Sequence, residues 1–279
     1  MGSAPGAEPR APLASPRADG MILRMLLAID VGNTQTHVGL FDGDQLLEHW
    51  RFSTSRTATA DELAVSVSAI LGLRQSGLSD IGSLMVSCVV PALAQEYDQL
   101  VVRYLDGRGA LVGPSMRTGM PILIDNPHEL GADRLVNAVA AYERIGAPCI
   151  AVDFGTAVNY DVVSGSGEYL GGVIAPGVEI SLEALSARAA ALPRVRLGAP
   201  PSPIGRSTIE AVQSGVVYGY AGQVDGLVAR LREEMGEEAT TIATGGLAEV
   251  IVPHCEQIDE VDDLLTLQGL RIIFERNRA

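Results

Sequence analysis

The chain has 279 residues, 47% of them apolar, and a formal net charge of −14 at pH 7. This length and composition suffice to bury the core of one large globular domain or of two ordinary lobes. The acidic balance disfavours nucleic acid and anionic membranes as partners, because both are polyanions. The sequence contains no lysine, which excludes a Walker A loop and Schiff-base chemistry. Any phosphate must therefore be bound by backbone N–H groups, metal ions and arginines.

Residues 1–24 are rich in Ala, Pro, Gly and Ser, a composition typical of a disordered arm or of a start site assigned too early. We exclude this segment from the predicted fold. The sequence has no run of about 18 uncharged apolar residues, which is the length needed to span a bilayer. Arg24 interrupts the apolar run that a signal peptide would need. Cys88, Cys149 and Cys255 lack the spacing of a zinc site. We expect a cytoplasmic protein.

The first predicted elements are strands joined by short turns. An apolar run at Leu26–Ile29 predicts a central strand, followed by a polar loop, Asp30–Thr34. Two further strands, His37–Phe41 and Leu46–Phe52, are separated by an Asp-Gly turn. The chain therefore opens with an antiparallel meander.

Helices and strands then alternate. Thr59 and Glu62 have the spacing of a capping box and predict a helix start. The elements expected after it are a strand at Leu84–Val90, a helix at Leu93–Leu105, a short strand at Ala110–Val112 and a helix ending near Gly146.

The opening pattern is repeated after residue 148. An apolar run leads into Asp153-Phe154-Gly155-Thr156, which is followed by predicted strands at Val158–Val163 and Tyr169–Ile174. Such a repeat indicates a duplicated α/β fold, with lobes at 25–147 and 148–279 that each open with a meander and carry flanking helices.

The rest of the second lobe is predicted to be mainly helical. The expected elements are helices at Ile180–Ala191, Thr208–Met235 and Asp262–Glu275 and a strand at Thr241–Ala243 that runs into Gly245-Gly246.

The two Asp-x-Gly loops are candidate phosphate sites. Gly32 and Gly155 let the backbone approach a ligand closely, with polar Asn and Thr side chains beside it. A tight turn alone would explain one such loop. A second copy, with Gly245-Gly246 after a third strand, favours phosphate binding over a turn with no functional role.

Gly131-Ala132-Asp133-Arg134 lies just before a predicted helix and places a carboxylate beside a guanidinium. A carboxylate stabilised by the helix dipole is the structural alternative. Between two phosphate loops, the pair instead suggests a general base and an arginine that holds an anionic substrate.

These segments resemble, in the same order, the motifs of type III pantothenate kinases. The match runs from Met25 to the C-terminus and also includes Gly171-Gly172-x-Ile174-x-Pro176-Gly177 and Thr208 through Gly215. The resemblance implies two ribonuclease H-like lobes of the actin-like ATPase superfamily, which also contains acetate and sugar kinases. It implies ATP-dependent phosphorylation of pantothenate, the first step of coenzyme A biosynthesis, by a homodimer.

The resemblance also implies roles for individual residues. Asp133 would be the catalytic base, Asp30 would orient Mg²⁺ through water, and Asp153 would bind a monovalent cation, K⁺ or NH₄⁺. The implied ATP contacts are Asp30, Val31, Gly32, Asn33, Thr34, Gln35, Thr36, His37 and Thr156. The implied pantothenate contacts are Gly131, Ala132, Asp133, Arg134 and Thr208, the last across a dimer interface in many members.

The sequence departs from the family where many members place a pantothenate-contacting tyrosine before Gly131. Here the stretch is Ile122-Leu123-Ile124-Asp125-Asn126-Pro127, so no aromatic contact is assigned. Two other functions compete with the kinase: a non-catalytic regulatory accessory factor of the same fold and a phosphotransferase with another acceptor. Retention of Asp30, Asp133 and Asp153 favours a working kinase site.

Overall fold

The computed structural model describes residues 25–113, 116–189 and 192–278. The predicted arm at 1–24 and the last two residues of the expected helix Ile180–Ala191 lie outside these ranges. All structural statements below refer to the described residues.

The first lobe contains a five-stranded mixed sheet. Its strands are β1 (Met25–Val31), β2 (Gln35–Asp42), β3 (Gln45–Ser53), β4 (Ile81–Cys88) and β5 (Gly109–Leu111). They lie in the order β3-β2-β1-β4-β5, with β1, β2 and β3 antiparallel and β4 and β5 parallel to β1.

The second lobe repeats this sheet. Its strands are β6 (Cys149–Phe154), β7 (Ala157–Val163), β8 (Tyr169–Pro176), β9 (Thr240–Thr244) and β10 (Glu260–Val261). The order β8-β7-β6-β9-β10 matches that of the first sheet strand for strand. The predicted duplicated α/β fold is therefore confirmed.

Seven α-helices flank the sheets in the described chain. They are α1 (Ala60–Gly72), α2 (Pro91–Tyr104), α3 (Ala132–Ile145), α4 (Val178–Arg188), α5 (Thr208–Met235), α6 (Ala248–Ile251) and α7 (Leu265–Asn277). The capping box predicted at Thr59 is present, since the Thr59 backbone N donates to Glu62 Oε2 at 2.8 Å. None of these helices combines the length and apolar character that crossing a membrane requires.

Three apolar cores hold these layers together. One lies between the first sheet and α1 and α2, and another between the second sheet and α5 and α6. The third fills the space between the two sheets and consists largely of α3 and α7 with the inner faces of both sheets. These two helices pack closely, because a Cβ at Gly269 would lie 2.3 Å from the Val136 carbonyl oxygen.

The two central helices also link the lobes. The last helix, α7, packs against β1, β2 and β4 of the first sheet, while α3 packs against β6 and β7 of the second. Each sheet is thus covered on its inner face by a helix from the other half of the chain. The lobe boundary at 147/148 stays a prediction.

Candidate active site between the two hairpins

The first hairpin, residues 31–35, is stabilised by a hydrogen bond within its own backbone and by hydrogen bonds from Thr54, the residue directly after β3. Gly32 N donates to Gln35 O at 3.0 Å, and a Cβ at Gly32 would lie only 2.9 Å from that oxygen. Thr54 supports the loop from below, because its Oγ1 donates to Gly32 O and its N donates to Thr34 O, both at 2.9 Å. The loop backbone is therefore fixed before any ligand arrives.

The second hairpin, residues 154–157, has the same construction with one residue fewer. Gly155 N donates to Ala157 O at 3.0 Å. The tips of the two hairpins meet, since Thr34 Oγ1 and Thr156 Oγ1 are 3.3 Å apart and both residues are exposed. The structure thus brings the two predicted phosphate loops together.

Asp30 lies at the base of the first hairpin on the face of β1 that points between the sheets. Its cross-strand neighbours are His37 on β2 and Ser87 on β4. Oδ1 of Asp30 is enclosed and has no hydrogen-bond partner among the described residues. Burial raises the pKa of Asp30 to about 8, and the charges of Asp133 and Asp153 act in the same direction.

Asp133 lies in the first turn of α3. The sequence predicts that the Gly131-Ala132-Asp133-Arg134 motif lies just before a helix. In the structure Gly131 is the N-cap of α3, and the other three residues form its first turn. Asp133 Oδ1 accepts from Arg134 N at 2.8 Å. A Cβ at Gly131 would lie 2.6 Å from the same oxygen, so glycine is needed there. Burial raises the pKa of Asp133, and the hydrogen bond and charge of Arg134 oppose this shift.

Asp153 is the second-last residue of β6 and is anchored by a residue of α3. Asn137 Nδ2 donates to Asp153 Oδ2 at 3.2 Å, and Thr266 Oγ1 donates to Asn137 Oδ1 at 2.7 Å. Burial raises the pKa of Asp153 to about 7, and the charge of Asp133 adds to it. Gly245, at φ +95°, approaches so closely that a Cβ would lie 2.5 Å from Asp153 Oδ1.

Arg134 is partly engaged by the protein itself. Its Nε donates to Asp161 Oδ1 on β7 at 2.8 Å. The sequence predicts that Arg134 binds an anionic substrate and gives no sign of its contact with Asp161. Only the guanidinium donors that Asp161 does not use are left for that role.

The other predicted ATP contacts differ in what they can offer. The Val31 side chain is buried in the core between the first sheet and helices α1 and α2, so only its backbone faces the hairpin. Thr36 is buried and its Oγ1 lies 2.9 Å from Thr54 Oγ1, which makes it a support of the loop. His37 lies beside Asp30 in the sheet, where burial and the nearby Arg51 and His49 lower its pKa.

Thr208 is not joined to this cluster by any described contact. It is the first residue of α5, is exposed, and lines a groove between α4 and α5 with Ser181, Gly215 and Tyr220.

The three carboxylates do not form a direct metal cage. Within residues 25–113, 116–189 and 192–278, no group of three His, Cys, Asp or Glu side chains is arranged to hold a metal ion. The unpartnered Asp30 oxygen and the mutual repulsion of the carboxylates nevertheless fit a cation that keeps its own waters, as Mg²⁺ does.

Comparison with known proteins agrees with this geometry. A model of the type III pantothenate kinase family matches residues 26–230. The chain belongs to this family. It is 54% identical to the type III pantothenate kinase of Frankia alni, over 91% of the chain and 100% of that protein. The identity is 51% to that of Streptomyces griseus, over 91% and 98% of the two chains.

The family fold also appears in more distant solved structures. The activator of the 2-hydroxyisocaproyl-CoA dehydratase from Clostridium difficile, solved with bound ADPNP, superposes with a TM-score of 0.51 at 12% identity. The match covers 91% of the chain and 96% of that structure. At this identity the likeness concerns the fold alone.

Sequence reasoning missed the residues that support the site. Thr54 fixes the first hairpin, Asn137 anchors Asp153, and Asp161 holds Arg134. A signal for Asp161 was present, because it is the one charged residue in a strand that is mostly apolar, and a buried charge requires a partner. Asn137 lies one helical turn after Asp133 and therefore on the same face of α3.

Proposed function

We propose that the chain transfers the γ-phosphoryl group of ATP to the 4′-hydroxyl of pantothenate at the cluster formed by Asp30, Asp133 and Asp153. The observation that carries this proposal is the convergence of three half-buried carboxylates between two hairpins whose tips touch. Membership of the type III pantothenate kinase family is the basis for naming ATP and pantothenate as the substrates.

The hairpins would bind the ATP phosphates. Within residues 30–37, the exposed Thr34 and Gln35 carry donors at the tip of the first hairpin, and Thr156 carries a hydroxyl at the tip of the second, where phosphate oxygens need donors. Asp30 would hold Mg²⁺ through water with its free oxygen. When bound, Mg²⁺ supplies positive charge that neutralises the phosphates and the carboxylates around them.

Asp133 would act on the acceptor. Its carboxylate is fixed at the N-terminus of α3 by Arg134 N, in position to accept the proton of the pantothenate hydroxyl. Phosphoryl transfer has a loose transition state in which alignment and charge neutralisation dominate, so a correctly placed carboxylate suffices as base. The backbone of Gly131 and Ala132 and the free edge of Arg134 would line the pantothenate site.

A monovalent cation at Asp153 would complete the charge balance. Asp153 is half-buried, and desolvation raises its pKa to about 7 although the Asn137 hydrogen bond opposes the shift. A bound K⁺ or NH₄⁺ would stabilise the ionised form and separate Asp153 from the ATP phosphates. Such a large, weakly hydrated ion suits an irregular site that Mg²⁺ would not fill.

The groove beside Thr208 supports a homodimer. It lies between α4 and α5, and the exposed Ile180, Leu185 and Ile209 surround it with apolar surface. In a dimer, Thr208 would reach the pantothenate of the partner subunit, which would explain why it lies apart from Asp133 here. We also expect the enzyme to work in the cytoplasm.

A coupled assay of ADP release tests the function directly. Pantothenate should support ATP- and Mg²⁺-dependent turnover, while glucose and acetate should not. Turnover with a sugar or acetate instead would identify a different phosphotransferase of the fold. Absence of turnover with every acceptor, in a folded protein, would favour the regulatory accessory factor.

A further inference from the structure

A buried polar cluster lies behind the catalytic carboxylate, on the second sheet. At its centre is Asp161 on β7, whose side chain is 0% exposed. Oδ1 of Asp161 accepts from Arg134 Nε and from Tyr169 OH, each at 2.8 Å. The cluster thus links the first turn of α3 to β7 and β8.

Asp161 depends on Arg134 for its charge. Removing a carboxylate from water costs several kcal/mol unless a cation compensates it. Burial raises the pKa of Asp161 to about 7, and the Arg134 guanidinium acts in the opposite direction. The contact therefore fixes where the guanidinium lies.

Arg134 does not use all its donors on Asp161. Nη2 is enclosed and has no hydrogen-bond partner in the described chain, although a guanidinium has a fork of donors suited to a carboxylate. An enclosed donor without a partner is costly. This donor is consequently unused within the described residues.

The surrounding residues leave room for this orientation. A Cβ at Gly172 on β8 would lie 1.8 Å from the Tyr160 carbonyl oxygen on β7 and 2.8 Å from Arg134 Nη2, so a side chain there would collide with the strand backbone as well as with the guanidinium. The Tyr169 ring lies 6.0 Å from the guanidinium carbon, within the range of a cation–π contact. The Gly171-Gly172 motif and Tyr169 thus shape the position of one side chain.

We propose that Asp161 is a positioning residue for acceptor specificity: it holds Arg134 so that the free guanidinium edge binds the carboxylate of pantothenate beside Asp133. This inference rests on the proposed function. Asp161 does not touch the substrate and acts through Arg134. Without it, the guanidinium would lose its fixed direction, and recognition of the carboxylate would weaken while the base stayed in place.

The first test is Asp161→Asn, which keeps the shape of the side chain and removes its charge. The KM for pantothenate should rise about tenfold or more, the scale of a lost charge-assisted contact. The kcat and the KM for ATP should stay within about threefold. A fall in kcat at unchanged KM would overturn the proposal, because Asp161 would then act through Asp133.

Glu260→Gln is the matched control. Glu260 Oε2 pairs with Arg144 Nε at 2.8 Å, and this contact ties the other end of α3 to the second sheet. The control therefore weakens an ion pair of the same helix away from the cluster. A similar rise in the pantothenate KM in this variant would show that any loosening of α3 has this effect and would overturn the proposal.

The second readout is specificity for the carboxylate. Equilibrium binding of pantothenate is compared with that of pantothenol, in which a hydroxymethyl group replaces the carboxylate. The wild type should prefer pantothenate, and Asp161→Asn should lose most of this preference. An equal loss of affinity for both ligands, or an unchanged preference, would overturn the inference.

This binding measurement separates the two proposals. If the wild type binds pantothenate in preference to pantothenol but does not phosphorylate it, the proposed function fails. The inference about Asp161 is then still tested by whether Asp161→Asn loses this binding preference. If Asp161→Asn does not fold, Tyr169→Phe removes only the hydroxyl that donates to Asp161. This variant should lower the preference about two- to fivefold, and no change in it would count against the proposal.

Discussion

The two hairpins share an Asp-x-Gly sequence and equivalent strands, yet they hold their carboxylates differently. Asp30 keeps one enclosed oxygen without a partner in the described structure, whereas Asp153 is tied to Asn137, which Thr266 fixes in turn. The support of Asp153 therefore comes from elements outside the duplicated meander.

The strand beside each hairpin differs as well. Ser87 lies next to Asp30 and is followed by Cys88, while Thr244 lies next to Asp153 and is followed by Gly245. The glycine lets the backbone approach Asp153 and Phe154 closely. We propose that these neighbours suit the first hairpin to Mg²⁺-ATP and the second to a monovalent cation.

The largest effect should come from Asp133, the carboxylate that belongs to neither hairpin. In Asp133→Asn, kcat should fall by about 10²–10⁴, the usual scale for a lost general base. ATP binding should persist, because both hairpins are intact. Single-turnover rates and ATP titrations measure the two quantities. A near wild-type rate would show that the base lies in one of the hairpins.

Replacing Asp153 should abolish the cation response assigned to the second hairpin. The wild type should be activated about tenfold or more by K⁺ or NH₄⁺ and poorly by Na⁺ or Li⁺, because the site suits a large ion. Asp153→Ala should show little response. Initial rates are measured against K⁺ at constant ionic strength, with a thermal melt to check folding. A variant that responds like the wild type would place the cation elsewhere.

Gly245→Ala should destabilise the second hairpin without affecting the first. Its φ of +95° disfavours any side chain, and the new Cβ would lie 2.5 Å from Asp153 Oδ1. Gly43→Ala is the control, because Gly43 has a φ of +61° and open space around it. The control should lose about 1–2 kcal/mol from its conformation alone, and Gly245→Ala should lose clearly more. Urea unfolding gives both values, and equal losses would argue against close packing at Gly245.

The pH dependence of stability should also separate the hairpins. In the folded protein the pKa values of Asp30 and Asp153 are raised to about 8 and about 7 from 3.8. Between these limits the folded state binds more protons than the unfolded state, so stability is highest below pH 4 for these groups and is lost as pH rises through 7 and 8.

We therefore expect the melting temperature of ligand-free protein to fall as the pH rises from about 4 to about 8 and to level off above that. The fall should be shallower up to about pH 7 in Asp153→Asn and up to about pH 8 in Asp30→Asn. Mg²⁺-ATP and K⁺ should reduce it in the wild type. Parallel curves for all three proteins would contradict the raised pKa values.

The smallest effect is expected from removing residues 1–24. A chain that begins at Met25 should keep the activity and melting temperature of the full chain, because the removed segment has no apolar face to bury. Both hairpins would then be shown to work without it. A large fall in either quantity would contradict this prediction.

The sequence by itself determined the strand order of each meander, the capping box at Thr59 and the duplication. These features depend on local periodicity and on turn residues, which act over a few positions. It also located the two Asp-x-Gly loops and Asp133, because their residue types carry the chemistry that phosphate and a hydroxyl require.

Only the tertiary structure decided how these residues meet and what restrains them. The support of Asp153 by Asn137 and Thr266, the pairing of Arg134 with Asp161, and the position of α7 on the first sheet join residues far apart in the chain. Sequence patterns report which side chains are buried but not which partner compensates a buried charge. That pairing is set by the packing of α3 and α7 between the two sheets, where every polar group must find a partner or a ligand.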